Sequence, residues 1–478
     1  MRKIATFSVS VLALTLISNL SVADEMVYGD FPVTVQGYSG SKTTSVSYTG
    51  QIARHTLHDS LKKMAGHAIV QRDYEQKKHR EKMMSYFEGK DEGRVILAPK
   101  TKGTFTISQT NVDDISKGKN LSGKTYKGTI SGMPNNMTGS ELLTFWIGKA
   151  AVSKGGVDAA NGYNYPQLIS KFIMGAVFYN QAVDGYLDEY LGAEKKPNDK
   201  PYKDGAAYTG KEHAWDEAFG YFGTPSHTLK LTAKQVYEIA KLGSKSNDPA
   251  DALSHADYNN DGVVDLKSEM TFGPAYYAAA FDKSGTTSYL HTITRAFLDG
   301  RKLITSANGQ KLTNAQRISL IEYAEIIGDN WEKVLAEATF KYAGSVYKDM
   351  MSLETVLDAN GDISKVNDKY IKHWGELKGF SLALQTGKKN LGDTATRLNR
   401  LIGSGPLLPN LGQVVDIDST GEYVRDQGSS WGEYMMHMLK VQILLKERFG
   451  ITALVNDMTE EMSMLTKSMG NGASAEND

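Results

Sequence analysis

Between about residue 138 and residue 449 the chain repeats its apolar residues every three or four positions, in runs broken by Gly, Pro, Asn and Asp. That spacing is the period of a helix with one apolar stripe. A stripe of this kind cannot leave water alone, so helices that carry it pack on one another. Thr138-Gly139-Ser140-Glu141 has the form of a capping box and opens a helix through about 153. Pro166, at a first-turn position, opens a longer one through about 191. Further helical runs are expected near 211–222, 232–246, 270–281, 287–303, 313–326, 329–350, 367–386 and 429–449. No short-period solenoid repeat is visible.

The N-terminal part reads differently. Phe31, Val33 and Val35 alternate with polar neighbours, and Ser45-Val46-Ser47-Tyr48 continues the period of two. A helix is expected from Gln51 to about Glu88. Residues 94–136 are rich in Gly, Thr, Ser and Asn, with short β-like pieces at 95–97 and 104–107. The sequence thus predicts a mainly α fold of helical bundles with a small N-terminal β and loop-rich portion. The expected division is 24–136 for that portion, 137–450 for the bundles and 451–478 for a helix end and tail.

Residues 1–23 have the order of a secretory signal peptide. Arg2 and Lys3 precede an apolar run from Ile4 to about Leu20, and Ser21-Val22-Ala23 offers small residues before Asp24. Cleavage after Ala23 and a periplasmic or secreted, soluble protein are expected. The best remaining apolar run, Ile169 to Leu187, carries Lys171, Asn180 and Asp184, so no membrane span is expected after cleavage. The chain has no cysteine. That excludes disulfides, thiolate zinc sites, haem attachment through C-x-x-C-H, a cysteine nucleophile and a lipoprotein anchor. With 54 basic and 55 acidic residues and no sustained basic stripe, nucleic acid is not an expected partner.

Three patterns bear on chemistry. Gly118-Lys119-Asn120-Leu121-Ser122-Gly123-Lys124-Thr125 fits a phosphate loop in letters only. Asp113, Asp114 and Lys117 stand where an apolar strand should feed it, and Tyr126–Gly132 is a poor helix, so the context that makes such a loop work is missing.

The second pattern runs from Asp257 to Glu269. Asp257, Asn259, Asp261 and Asp265 supply side-chain oxygens at positions 1, 3, 5 and 9, Val263 offers a carbonyl at position 7, and Gly262 permits the bend at position 6. Calcium takes six to eight hard oxygens, and this alternation turns them toward one centre. The last carboxylate belongs at position 12, which is Ser268; Glu269 falls one residue later. Asp358–Asp362 and Asp416–Asp418 are weaker acidic runs that read as turns and helix starts.

The third pattern is a pair of histidine–carboxylate helices. His213 has Asp216 at i+3 and Glu217 at i+4; His373 has Glu376 at i+3. Groups so spaced share a helix face. Helical bundles build carboxylate–histidine metal sites from such faces, and iron or zinc suits that donor set.

The His-x-x-Glu pattern, in an exported, helical, cysteine-free chain, resembles the imelysin group, whose mark is Gly-x-His-x-x-Glu. Here Lys211 and Ile371 stand in place of the glycine, and Asp216 in place of the first glutamate. That group consists of exported proteins of paired helical bundles linked to iron uptake. More closely, Tyr48–Gln51, Glu212–Gly220, Asp257–Glu269 and His373–Phe380 resemble an uncharacterised secreted bacterial family, a domain of unknown function whose members accompany imelysin-like proteins. The likeness spans about 30–450. It implies metal or iron handling and an imelysin-like or outer-membrane partner, beside the structural calcium that the 257–269 spacing predicts. His213, Glu217, His373 and Glu376 are then the transition-metal ligands, with Asp216 beside them. The alternative is a non-catalytic binding scaffold for a surface partner or glycan, consistent with 25 tyrosines. A hydrolase lacks the H-E-x-x-H mark and any evident nucleophile–base pair.

Export has a direct check. N-terminal sequencing of protein recovered from its native compartment is expected to read from Asp24, whereas an intact Met1 overturns the localisation.

Overall fold

Capping boxes set where many of the helices begin. Thr138 with Glu141, Thr209 with Glu212, Thr232 with Gln235, Thr313 with Gln316 and Ser430 with Glu433 each exchange side-chain and backbone hydrogen bonds at a helix start. Each box satisfies N–H groups that have no intrahelical partner.

The computed structural model describes residues 27–67, 73–243 and 249–469. The expected signal segment 1–23 and the end of the tail, 470–478, lie outside the described residues. The helices are α1 (Thr49–Ala65), α2 (Asp73–Phe87), α3 (Gly139–Val152), α4 (Tyr165–Ile173), α5 (Gly210–Phe222), α6 (Ala233–Ala240) and α7 (Pro249–Ala256). They continue with α8 (Gly273–Asp282), α9 (Tyr289–Ser306), α10 (Asn314–Asp358), α11 (Ser364–Ala383), α12 (Asp393–Ile402), α13 (Trp431–Phe449) and α14 (Met462–Met469). The mainly α reading holds.

Four expectations change. The helix expected from Gln51 to about Glu88 stops at Ala65, where Gly66 caps α1, and α2 starts at Asp73. The helix expected at 166–191 is α-helical only to Ile173 and then widens into π-type turns over Met174–Tyr179 and Gln181–Tyr186. The runs at 313–326 and 329–350 form one helix of 45 residues, α10, despite Gly328 in its middle. A glycine there costs about 1 kcal/mol, and burial of Leu320, Ile327, Trp331, Val334 and Leu335 on one continuous face outweighs it. The β structure also lies elsewhere than expected. Among the described residues the N-terminal portion holds only isolated bridges, such as Pro32 with Thr44 and Val95 with Asn111. The strand pairs are β1 (Val157–Asp158) with β2 (Tyr163–Asn164), and β3 (Gly412–Ile417) with β4 (Tyr423–Gln427), both antiparallel. Without a second strand in register, the alternating segment at 31–48 cannot form a ladder and lies against helices instead.

α10 packs on α9, α11 and α13, while α11 packs on α4. α1 packs on α4 and α5, α5 on α9, and α6 on α8. One apolar cluster runs from Tyr28 to Ile451 and contains the fully buried Trp146, Trp215, Trp331 and Trp374. The chain after α13 crosses α10 so closely that a Cβ on Gly344 would lie 1.9 Å from the Asn456 carbonyl oxygen. No helix among the described residues is long and apolar enough to cross a membrane.

The irregular N-terminal segment is held by a buried charge network. Arg301 on α9 is fully buried, with Nε 2.9 Å from Asp216 Oδ1 and Nη1 3.0 Å from Glu212 Oε1, both on α5. Its Nη1 also donates to Thr305 Oγ1 at 2.6 Å and its Nη2 to Ser45 Oγ at 2.5 Å, and the guanidinium sits 4.7 Å over the Phe31 ring. From the N-terminal segment, the Tyr28 hydroxyl and Ser47 N–H donate to Asp216 at 3.0 and 3.1 Å, and Thr34 Oγ1 donates to Glu212 at 2.9 Å.

Removing the cation alone strands two buried carboxylates, which costs roughly 3–5 kcal/mol. Arg301→Met is therefore expected to lower the denaturant midpoint sharply. The triple variant with Glu212→Gln and Asp216→Asn is expected to recover part of the loss. Equal stability of Arg301→Met and the parent protein would contradict the network's role.

Candidate functional site

The loop that leaves α7 turns sharply because Asn260 (φ 60°) and Gly262 (φ 86°) adopt left-handed backbone, which glycine and asparagine tolerate best. Its carboxylates are engaged by backbone N–H groups. Asp257 accepts from Asp261 N at 3.1 Å and Gly262 N at 2.8 Å, Asn259 Oδ1 from Asp261 N at 2.9 Å, and Asp261 Oδ1 from Val263 N at 3.0 Å. Asp265 Oδ1 accepts from Gln109 Nε2 at 2.7 Å and Lys267 N at 2.9 Å. Glu269, one residue late in the pattern, is folded back over the loop: Oε1 accepts from Tyr258 N at 3.0 Å and Asn259 N at 3.3 Å, and Oε2 from Asp265 N at 2.7 Å. Burial raises the Glu269 carboxyl pKa, and these N–H donors oppose the rise.

The loop is also a junction. Val264 bridges Ile107 in parallel and exchanges hydrogen bonds with Thr106 and Ser108, Leu266 N donates to Gln109 Oε1 at 2.9 Å, and Ser226 N donates to Ser268 O at 2.7 Å. The loop-rich excursion of 94–136 is thereby joined to the helical body.

The two histidine–carboxylate pairs have separate surroundings. His213 donates from Nδ1 to the Ser47 carbonyl at 3.1 Å, which leaves Nε2 as the lone-pair nitrogen, 3.8 Å from Glu217 Oε2. Gln51 Nε2 holds Glu217 Oε1 at 2.7 Å. Tyr208 stacks on the imidazole with centroids 4.6 Å apart, and Tyr202 lies 4.3 Å away. Burial lowers the His213 pKa, with Glu217 opposing, so the ring is neutral at physiological pH. Asp216 does not join this pair; both its oxygens face Arg301, Tyr28 and Ser47. Burial pushes the Asp216 carboxyl up to about 6 against the pull of Arg301.

On α11, His373 Nδ1 is 2.5 Å from Asp349 Oδ2, an α10 carboxylate that also pairs with Lys369 at 2.9 Å. Glu376 instead turns inward, accepting from the Tyr342 hydroxyl at 3.1 Å and facing Lys171 Nζ at 3.5 Å. Burial alone would raise its pKa, but Lys171 and Lys62 outweigh it and hold the carboxyl below its usual value. The 213 and 373 pairs share no partner in these contacts. Among the described residues no group of three or more His, Cys, Asp or Glu side chains is placed to hold one metal ion.

The remaining motifs resolve simply. Residues 118–125 end in a three-residue 3-10 turn at Ser122–Lys124, preceded by another at Val112–Asp114, and Lys124 Nζ donates to Tyr186 at 3.3 Å. That is not the strand–loop–helix of a phosphate loop. Asp362 caps the start of α11 by accepting from Ser364 N at 2.9 Å, and Asp416–Asp418 lies at the β3–β4 hairpin. Sequence reasoning missed Arg301, and also Lys62 and Lys171, which meet near Glu376. The signal for Lys171 was present as a charge inside the most apolar run after residue 23.

These features define a mainly α-helical protein with an oxygen-rich loop at a junction of three segments. Residues 37–250 match the family model described as a domain of unknown function (DUF4856). No curated protein and no solved structure matches the chain. The matched stretch includes His213 but ends before the loop at 257–269 and before His373 and Glu376.

Proposed function

We propose that the protein is an exported binding protein held in shape by calcium at the 257–269 loop. The donor set of that loop carries the reading. Asp257, Asn259, Asp261 and Asp265 side-chain oxygens and the Val263 carbonyl recur at alternate positions, all are hard donors, and Glu269 is folded back within reach of the loop. Carboxylates at close range repel one another, so each accepts from backbone N–H groups. A doubly charged cation reverses that repulsion and draws the same oxygens together. The loop's bonds to Thr106, Ser108, Gln109 and Ser226 make such an ion a staple between the helices and the segments around it. Export is supported by the charged, apolar and small-residue order of residues 1–23.

An ion that binds only the folded chain stabilises it by about 2.7 kcal/mol at a hundredfold excess over Kd. Calcium is expected to raise the melting temperature, chelator to lower it, and Asp261→Ala to erase the difference. Identical melting curves in calcium and in chelator would sink the reading.

A transition metal, zinc or iron, at His213 and Glu217 is a second reading. One arrangement favours it: a backbone carbonyl fixes Nδ1 and turns Nε2 toward a carboxylate oxygen 3.8 Å away, while Gln51 steadies the other oxygen. Metal-ligating histidines and carboxylates are oriented in this way by their outer partners. On this reading imelysin-like metal handling centres on the 213 pair, with His373 and Glu376 engaged elsewhere. Zinc titration is expected to give a binding isotherm that His213→Ala weakens at least about tenfold, with the calcium response intact. Equal zinc affinity in parent and variant ends this reading.

A further inference from the structure

α1 and α4 each carry a lysine into the same recess. Lys171 on α4 is only 4% exposed, with its charge 3.5 Å from Glu376, and Lys62 on α1 lies close enough to depend on both. They line a cleft of about 450 Å³, a volume typical of small-molecule sites. Lys63, Lys100, Lys102 and Lys241 also line it, and Asp59 is the lone carboxylate in the lining. Burial and the neighbouring Lys171 charge push the Lys62 pKa down to about 7, the mark of a cation crowded by another.

A second observation is independent of charge. Thr271 lines the same cleft at 3% exposure, and its Oγ1 has no hydrogen-bond partner in the protein. A buried hydroxyl without a partner carries a desolvation cost that a bound polar group relieves. The walls between these groups are apolar, formed by Leu97, Pro99, Met174, Phe272, Tyr276 and Tyr277.

We propose that this cleft binds a small organic anion, its phosphate or carboxylate head held by Lys62 and Thr271 and its apolar body laid against Phe272 and Tyr276. The proposal goes beyond the calcium reading and does not depend on it. The cleft lies between α1, α4, the 97–102 segment and the start of α8, and the 257–269 loop contributes none of its lining. Lys171 is paired with Glu376 at the back of the cleft, while Lys62, crowded by Lys171 and only partly offset by Glu376 and Asp59, gains a further counter-charge when the anion enters.

Calorimetric titration of the full chain at low salt with inorganic phosphate, phenyl phosphate and benzoate tests this. Saturable one-site binding of phenyl phosphate or of benzoate is expected. Whichever of the two binds identifies the head group, and binding of both supports the proposal equally. If phenyl phosphate binds, burial of the ring makes it at least about tenfold tighter than inorganic phosphate. Lys62→Met and Thr271→Val are each expected to weaken binding severalfold. Thr271→Val removes no internal hydrogen bond, so its melting temperature is expected to match the parent's and it carries the test if Lys62→Met folds poorly. Absence of saturable binding for all three anions, or parental affinity in Thr271→Val, overturns the proposal.

Discussion

The fully buried guanidinium of Arg301 is the contact on which the arrangement of the N-terminal half depends. Residues 28–47 have neither a sheet ladder nor a helix to satisfy their polar groups, and buried backbone and hydroxyl groups must find partners somewhere. Asp216 and Glu212 provide them, and Arg301 sets a cation against both carboxylates in the same dry volume. A hydrophobic substitute would pack as well there but could not anchor an irregular strand at Tyr28, Thr34, Ser45 and Ser47.

The same device recurs at two other places where irregular chain meets helix. Arg94 donates to the carbonyl oxygens of Ser85, Gly89, Asp91 and Lys119, which folds the loop-rich excursion onto the end of α2. Glu337, fully buried in α10, accepts from the N–H groups of Thr452, Ala453 and Leu454 and from the Tyr289 hydroxyl, which fixes the chain leaving α13. In each case a charged side chain on or beside a helix takes the place of a β-ladder. This explains how a chain without disulfides orders long stretches of non-helical backbone.

The cation loop and the lysine cleft use opposite electrostatics. The loop concentrates oxygen donors that backbone N–H groups hold apart, whereas the cleft concentrates ammonium groups around apolar walls and one unpartnered hydroxyl. The His213–Glu217 pair differs from both, since it is neutral imidazole against carboxylate in a partly exposed aromatic setting.

Local chemistry was legible in the residues. Apolar spacing gave the helical class and most helix positions, because a helix face is set by neighbours three and four residues away. The donor alternation at Asp257–Asp265 and the bend at Gly262 were readable for the same reason, and the missing strand before Gly118 ruled out a phosphate loop. What the sequence could not determine was which distant group each polar side chain would face. Asp216, at i+3 from His213, shares a helix face with it by spacing alone, yet Arg301, 85 residues onward, takes it. Glu376 likewise turns to Lys171 and Tyr342 rather than to His373's partner. The continuity of α10 through Gly328, the placement of the strand pairs at 157–164 and 412–427, and the meeting of Lys62 with Lys171 were decided in the same way. Helical period is a property of adjacent residues, but the partner of a buried charge depends on how whole helices pack, and only the tertiary structure decides that.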